Sequence, residues 1–192
     1  MGASAEKERE LDHLGPGEDA AAILPESVKI EEAGLQEKHF TIFYGDTGYS
    51  YASIVGPYLK GAKEITVDDP YLRMKHQIQN FVRFCEMAVK EPTIRKINLN
   101  TSYDDQTNVS EVQNSFEEIR QSLIEMDVVL DIKINPNMHD REIRIDNGWV
   151  IKIGRGLDLY QEPNSWFEIG VNDFSLRKCL ETKVDIFKDT NK

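Results

Sequence analysis

Residues 63–99 read KEITVDDPYLRMKHQIQNFVRFCEMAVKEPTIRKINL, and the fold class follows from this stretch. Residues 63–68 carry β-branched side chains and predict a strand, which Asp69-Pro70 closes. Met74, Ile78, Phe81, Val82, Cys85 and Val89 then recur at spacings of 4, 3, 1, 3 and 4, the apolar face of a helix that Pro92 ends. Residues 95–99 predict the next strand. A strand, a helix and a strand in succession indicate an α/β chain.

The flanking segments extend this alternation. Residues 40–44 are aromatic and β-branched, and Gly45-Asp46-Thr47-Gly48 stops them as a turn. Ser50 is placed to N-cap a helix carrying Ile54, Val55, Tyr58 and Leu59, with a kink or restart at Gly56-Pro57 and an end at Gly61. Farther on, Ser110 and Gln113 have capping-box spacing, and Val112, Phe116, Ile119, Leu123 and Met126 follow as a second apolar stripe. Residues 128–134 and 141–145 read as strands, Asp146-Asn147-Gly148 has hairpin-turn chemistry, and residues 149–153 form the return strand. Residues 184–187 supply a last strand. The expected architecture is an α/β sandwich with a mixed, mostly parallel sheet flanked by helices and a C-terminal β-hairpin.

Charge divides the chain. The 192 residues carry a formal net charge of −11. Residues 1–39 hold ten acids and four bases, and Gly15-Pro16-Gly17 with an alanine run at 20–22 leaves little apolar periodicity. We therefore expect an acidic, irregular tail over 1–39, a domain over 40–188 and a short tail over 189–192. An excess of acid argues against non-specific adhesion to nucleic acid or anionic lipid over the whole surface, and leaves a local basic patch open. No run approaches eighteen apolar residues, and the start has no signal-peptide core. Cys85 and Cys179 are too few for a disulfide scaffold, so a cytoplasmic setting is expected, with Cys85 a small buried hydrophobe on the helix stripe. Four scattered histidines and no CxxC pattern give no metal site and no cofactor.

The densest polar run is His139-Asp140-Arg141-Glu142-Ile143-Arg144-Ile145-Asp146, followed by Gly154-Arg155-Gly156-Leu157-Asp158. In an extended segment His139 and Arg141 project from one face, which Ile143 and Ile145 continue toward the core. The pattern His-x-Arg-x4-Asp is one substitution from the His-x-Lys-x4-Asp signature of the phospholipase D superfamily, in which the histidine attacks a phosphodiester and the lysine holds its oxygens. If active, His139, Arg141 and Asp146 would be the catalytic set.

Several runs together resemble one family within that superfamily: Asp69-Pro70-Tyr71-Leu72-Arg73, Asn80-Phe81-Val82-Arg83-Phe84-Cys85-Glu86-Met87, His139-Asp140-Arg141-Glu142-Ile143-Arg144, the stretch from Asn147 to Asp158, and Val184-Asp185-Ile186-Phe187. They look like the phospholipase-D-like C-terminal domain of MIT-domain-containing cytokinesis proteins, over about residues 41–188. The resemblance implies a phospholipase-D-like fold, a homodimer, peripheral membrane association and binding of acidic phospholipids, phosphoinositides included, without catalysis. Related domains end some bacterial Lon-like and phage-defence proteins, and Gly56-Pro57-Tyr58-Leu59-Lys60-Gly61 is similar to that branch. Residues 1–39 are too short and irregular for the three-helix MIT domain of the animal proteins, so recruitment by ESCRT-III does not carry over.

Binding and catalysis make different demands on these residues. A phospholipase D reaction needs two histidine motifs, and this chain has one, so catalysis would require a dimer that brings two copies of His139 together. Arg141 replaces a point donor with a planar fork. For binding, Arg73, His76, Asn80 and Arg83 recur at 3, 4 and 3 on the first helix, a polar stripe that is either a solvated face or one wall of a headgroup site. With the helix N-terminus facing the hairpin, Arg73, His76 and Arg83 would join His139, Arg141, Lys152 and Arg155 around an anion. Three readings stay open: a non-catalytic dimer on acidic phospholipid, a dimeric phosphodiesterase or nuclease acting on nucleic acid, and a dimerisation and protein-interaction module.

Overall fold

The computed structural model describes residues 34–190, and the expected tail lies outside the described residues up to residue 33. The order of elements is β1 (Lys38–Ile42), α1 (Tyr51–Ile54), a 3-10 turn (Gly56–Leu59), β2 (Glu64–Asp68), α2 (Lys75–Ala88), β3 (Lys96–Thr101), α3 (Val109–Ile124), β4 (Val129–Ile134), β5 (Glu142–Ile145), β6 (Trp149–Ile153) and β7 (Thr182–Lys188). Its seven strands form one sheet, ordered β1-β7-β6-β5-β2-β3-β4.

This sheet is mixed but mostly antiparallel, which corrects the expectation of a mostly parallel one. Among the described residues only β2 with β3 and β3 with β4 pair in parallel. The pairs β5 with β2, β6 with β5, β7 with β6 and β1 with β7 are antiparallel. The cause is connectivity. Helices α2 and α3 return the chain to the same end of the sheet, whereas a tight turn at Asp146-Asn147-Gly148, with Gly148 at φ +95°, reverses it.

Strand alternation separates the two faces. Ile65, Val67, Ile97, Leu99, Ile143, Ile145, Ile151, Ile153, Val184 and Ile186 are buried in one core with Ile78, Phe81, Phe84 and Cys85 of α2. Helix α2 packs against both α1 and α3, so the helices form one layer. On the opposite face a ladder of polar side chains pairs across strands: Arg144 with Asp68 at 2.7 Å, Lys152 with Glu142 at 3.5 Å and Lys96 with Glu64 at 3.7 Å.

Local signals place two of the helices. Ser50 caps α1, its Oγ accepting from Ser53 N at 3.2 Å. Helix α3 begins earlier than its expected capping box: Asn108, not Ser110, is the N-cap, accepting from Glu111 N at 3.3 Å. Cys85 and Cys179 are both buried, and burial pushes both thiols up, that of Cys179 to about 11. The thiolate is the reactive form, so a disulfide reagent at mildly alkaline pH is expected to label neither cysteine in the folded chain and both after denaturation. Stoichiometric labelling before unfolding would contradict this burial.

Candidate functional site

Register gathers the polar motifs at one end of the sheet. Parallel strands β2, β3 and β4 finish there, β5 begins there with Glu142 opposite Asp68, and the β6–β7 connection leaves and returns there. In open α/β sheets this carboxyl end of the parallel strands is the usual place for a ligand.

Asp69, the first residue after β2, organises the site. It is buried, yet its oxygens accept from Leu157 N at 3.1 Å, from Tyr71 N at 3.1 Å and from Arg141 Nε at 3.3 Å. Burial pushes its carboxyl above the usual carboxylate range, opposed first by the Arg141 guanidinium and then by the Leu157 and Tyr71 amides. The space lined by Asp69, Arg141, Gly156 and Leu157 is only about 10 Å³, too small for a ligand, so the pair is closed on its inner side. Arg141 spends Nε inward, and its two terminal nitrogens make no hydrogen bond among the described residues.

Tyr71 connects Arg141 to Arg73. The Arg141 guanidinium carbon lies 4.5 Å from the Tyr71 ring centre and that of Arg73 lies 5.3 Å from it, so the two expected cations share one aromatic ring. They differ in availability. Arg73 donates Nε to Ser102 O at 3.4 Å and Nη2 to Ser102 Oγ at 3.1 Å, and pairs Nη1 with Asp104. The Thr107 hydroxyl, with Arg73, holds the Asp104 carboxyl below its usual range. All three nitrogens of Arg73 are engaged, so it supports the site from beneath and lines a groove of about 700 Å³ between α2 and α3.

The α2 stripe meets the Gly-Arg-Gly-Leu-Asp run at Asp158. Its carboxylate accepts from Asn80 Nδ2 at 3.3 Å and from Gln77 Nε2 at 3.5 Å, and His76 Nε2 lies 3.4 Å away. Gln77 also accepts from Arg73 N and Met74 N, each at 3.0 Å, which fixes the start of α2. Arg83 continues the stripe, with Nη1 to Asn80 Oδ1 at 3.2 Å and its guanidinium carbon 4.3 Å from the Phe174 ring centre. Beneath them Tyr51 donates to Leu157 O at 2.5 Å, and burial, then Tyr160, pushes its hydroxyl well up.

Arg155 stands in the same turn as Gly156. It donates Nε to Glu181 O at 3.0 Å and, like Arg141, leaves its terminal nitrogens unbonded among the described residues. The other expected residues are His139, Asp146 and Lys152. His139 is in the exposed segment before β5 and makes no hydrogen bond or ion pair among the described residues. Asp146 lies past the opposite end of β5 from Arg141 and accepts from Lys63 N at 3.1 and 3.2 Å, where it fastens the start of β2. Lys152 points to the polar face of a central strand, where its ammonium pairs with Glu142. Thus Arg73, His76, Arg83, His139, Arg141 and Arg155 lie at one end; Lys152 reaches that end too, opposite Glu142, but on the polar face and paired with that carboxylate, and Asp146 lies at the other end.

Sequence reading missed the parts that hold these cations. Asp69 was read as turn chemistry, which its bond to Tyr71 N bears out, but its partner Arg141 is 72 residues away. Asp158 and Tyr71 sit inside the quoted runs, and only the fold shows which side chains they meet. Among the described residues no group of three or more His, Cys, Asp and Glu is arranged to hold a metal ion.

Comparison with known proteins agrees with the sequence resemblance. A family model described as a phospholipase D-like domain at the C-terminus of MIT matches residues 48–188. MIT domain-containing protein 1 of Mus musculus is 45% identical over 159 residues, covering 82% of this chain and 64% of that protein. The chain therefore spans less than two thirds of the length of that relative. A solved structure of TrmBL2, described as an archaeal chromatin protein with a novel mode of DNA binding, aligns with TM-score 0.38 at 14% identity over 84% of this chain and 50% of the other. A likeness that distant carries no argument here.

Proposed function

Since the chain belongs to the family of phospholipase D-like domains found at the C-terminus of MIT, we propose that it is a non-catalytic, homodimeric module that binds the phosphate of acidic phospholipid headgroups, phosphoinositides among them, at a membrane surface. The observation that carries this reading is the outward fork of Arg141. Its inner nitrogen is fixed by Asp69 and its plane rests on Tyr71, so the two free nitrogens are already oriented for a bidentate phosphate contact. Arg155 adds a second free fork from the adjoining turn. His76 beside Asp158 extends the positive edge when protonated.

The arrangement gives little support to phosphodiester cleavage. A histidine nucleophile needs a partner to orient its ring and a second group to protonate the leaving oxygen. Among the described residues His139 has no such partner, and the imidazoles of His76 and His39 face Asp158 and Asp185. Among the described residues no helix is long and apolar enough to cross a membrane.

Arg141→Lys separates charge from fork. Lysine keeps a cation for Asp69 but loses the outward pair of donors, and the variant is expected to bind a soluble inositol bisphosphate about tenfold more weakly with little change in stability. Arg155→Glu is expected to weaken it at least as much. Titration calorimetry on both variants checks this, and parent-like binding in both would overturn the headgroup reading.

A further inference from the structure

The connection from β6 to β7 carries three large apolar side chains in solvent: Trp166 is 79% exposed, Phe167 97% and Ile169 83%. Phe43 and Tyr44, after β1, are also exposed, as is Leu176. Backbone bonds tie the two segments together, from Gly45 N to Cys179 O at 2.9 Å, Cys179 N to Asp46 O at 2.8 Å and Gly48 N to Ser175 O at 2.7 Å. Exposed apolar surface gathered in this way marks an interaction site.

The exposed tip stands on a built support. Arg177 is buried, makes no direct ion pair among the described residues, and donates to Gly170 O at 2.6 Å, Val171 O at 2.5 Å and Gln161 O at 3.2 Å, which closes the loop on itself. Gly170, at φ +97°, leaves room that a Cβ would take from Leu176 O, 2.8 Å away. Two of the loop's acids are occupied internally, since Glu168 accepts from Asn164 N at 2.9 Å and Asp173 holds Ser175 through its amide and hydroxyl, whereas the Glu162 and Glu181 carboxylates are exposed and make no bond among the described residues. Phe174 lies 4.3 Å from the Arg83 guanidinium carbon and 4.6 Å from that of Arg177, which joins the loop to the α2 stripe of the headgroup site. Lys178 is exposed at the base, where its carbonyl accepts from Gln161 N at 2.9 Å, and Arg155 bonds Glu181 O nearby in the chain. Neither cation has an ion pair among the described residues.

We propose that the Trp166 to Ile169 tip, with Phe43 and Tyr44 on the adjoining segment, inserts into the interfacial layer of a phospholipid bilayer while Arg141, Arg155 and Lys178 meet the headgroups around it. This deepens the headgroup reading and rests on it. Three features favour a bilayer over a second copy of the chain. Trp and Phe are side chains that settle at the interface, where apolar burial combines with headgroup attraction. Phe167 is almost wholly exposed and the tip offers three exposed apolar side chains in four residues, whereas a two-fold dimer needs a self-complementary patch of about 800 Å² on each copy. The free cations at the base of the loop match the charge of the headgroup layer.

The test compares the parent chain with Trp166→Ser/Phe167→Ser and with Arg155→Glu, using phosphatidylcholine vesicles with and without phosphatidylserine. The loop double variant is expected to partition roughly 100-fold more weakly into acidic vesicles, yet to bind soluble inositol bisphosphate and to melt as the parent does. Trp149 is buried, so brominated acyl chains are expected to quench Trp166 alone. Parent-like partition of the double variant, or unquenched Trp166 on bound protein, overturns the proposal. A parent dimer that falls to monomer in the double variant overturns it by assigning the tip to a second copy. Loss of soluble-ligand binding in the double variant overturns it by placing the tip's effect inside the headgroup site. If Arg155→Glu partitions as the parent does and the double variant fails, insertion stands and the headgroup reading falls.

Discussion

Asp69→Ala is expected to destabilise the chain by roughly 3–5 kcal/mol, because it removes a buried carboxylate and strands the donors gathered around it. Three donors lose their acceptor together: Arg141 Nε, Leu157 N and Tyr71 N. Of these donors Leu157 is buried, as is the site of the Asp69 carboxylate itself, so water does not simply replace it. Adding Arg141→Leu to Asp69→Ala is expected to recover part of the loss, since the stranded cation is then gone, and a double-mutant cycle of denaturant midpoints measures that coupling. The size of the effect also depends on pH. Burial raises the folded Asp69 carboxyl above its unfolded value, so its titration favours the folded chain below the unfolded value and that gain is lost as pH rises through the folded one. The gap between parent and Asp69→Ala is therefore expected to narrow on going from acid to neutral pH. A gap that widens over that interval would mean that Arg141 and the two amides outweigh desolvation.

The importance of Asp69 marks where the sequence stops being readable. Helices α2 and α3 follow from one-dimensional apolar periods, and the β5–β6 hairpin follows from Asp146-Asn147-Gly148, because each is a local pattern. Strand direction is not local. The antiparallel pairing of β5 with β2 joins segments far apart in the chain, and the pairing of β1 with β7 joins its two ends, so the mostly parallel sheet was a wrong extrapolation from α2 and α3. The site divides in the same way. Arg73, His76 and Arg83 were legible as a stripe, and Arg141 and Arg155 as members of polar runs. Which cation is free for a ligand depends on partners that no spacing reveals: Ser102 and Asp104 use up Arg73, whereas Asp69 engages one edge of Arg141 and orients the rest. Arg177 gave no signal, since a lone arginine in an acidic chain reads as surface until burial shows it gripping three carbonyls.

Gly156→Ala is expected to damage both stability and headgroup binding, and Gly61→Ala tells its two causes apart. Both glycines have left-handed backbone angles, Gly156 at φ +59° and Gly61 at φ +73°, so an L side chain at either is strained by about 1–2 kcal/mol. At Gly61 nothing lies within 4 Å of an added Cβ, and strain is the whole effect. At Gly156 the Cβ would stand 2.8 Å from Arg141 Nε and nearer still to Asp69 Oδ2. The closed space there has no room to absorb it, so overpacking adds roughly 1–3 kcal/mol and brings the total to about 2–5 kcal/mol. The added methyl must push Asp69 and Arg141 apart, and relaxation turns the free fork of Arg141 away from its stacked position on Tyr71. Urea unfolding of the two variants gives the packing contribution as their difference, and titration with inositol bisphosphate is expected to show at least tenfold weaker binding for Gly156→Ala and parent-like binding for Gly61→Ala. Equal binding by both would separate the Asp69–Arg141 pair from ligand recognition and leave it a purely structural joint between the end of β2 and the start of β5.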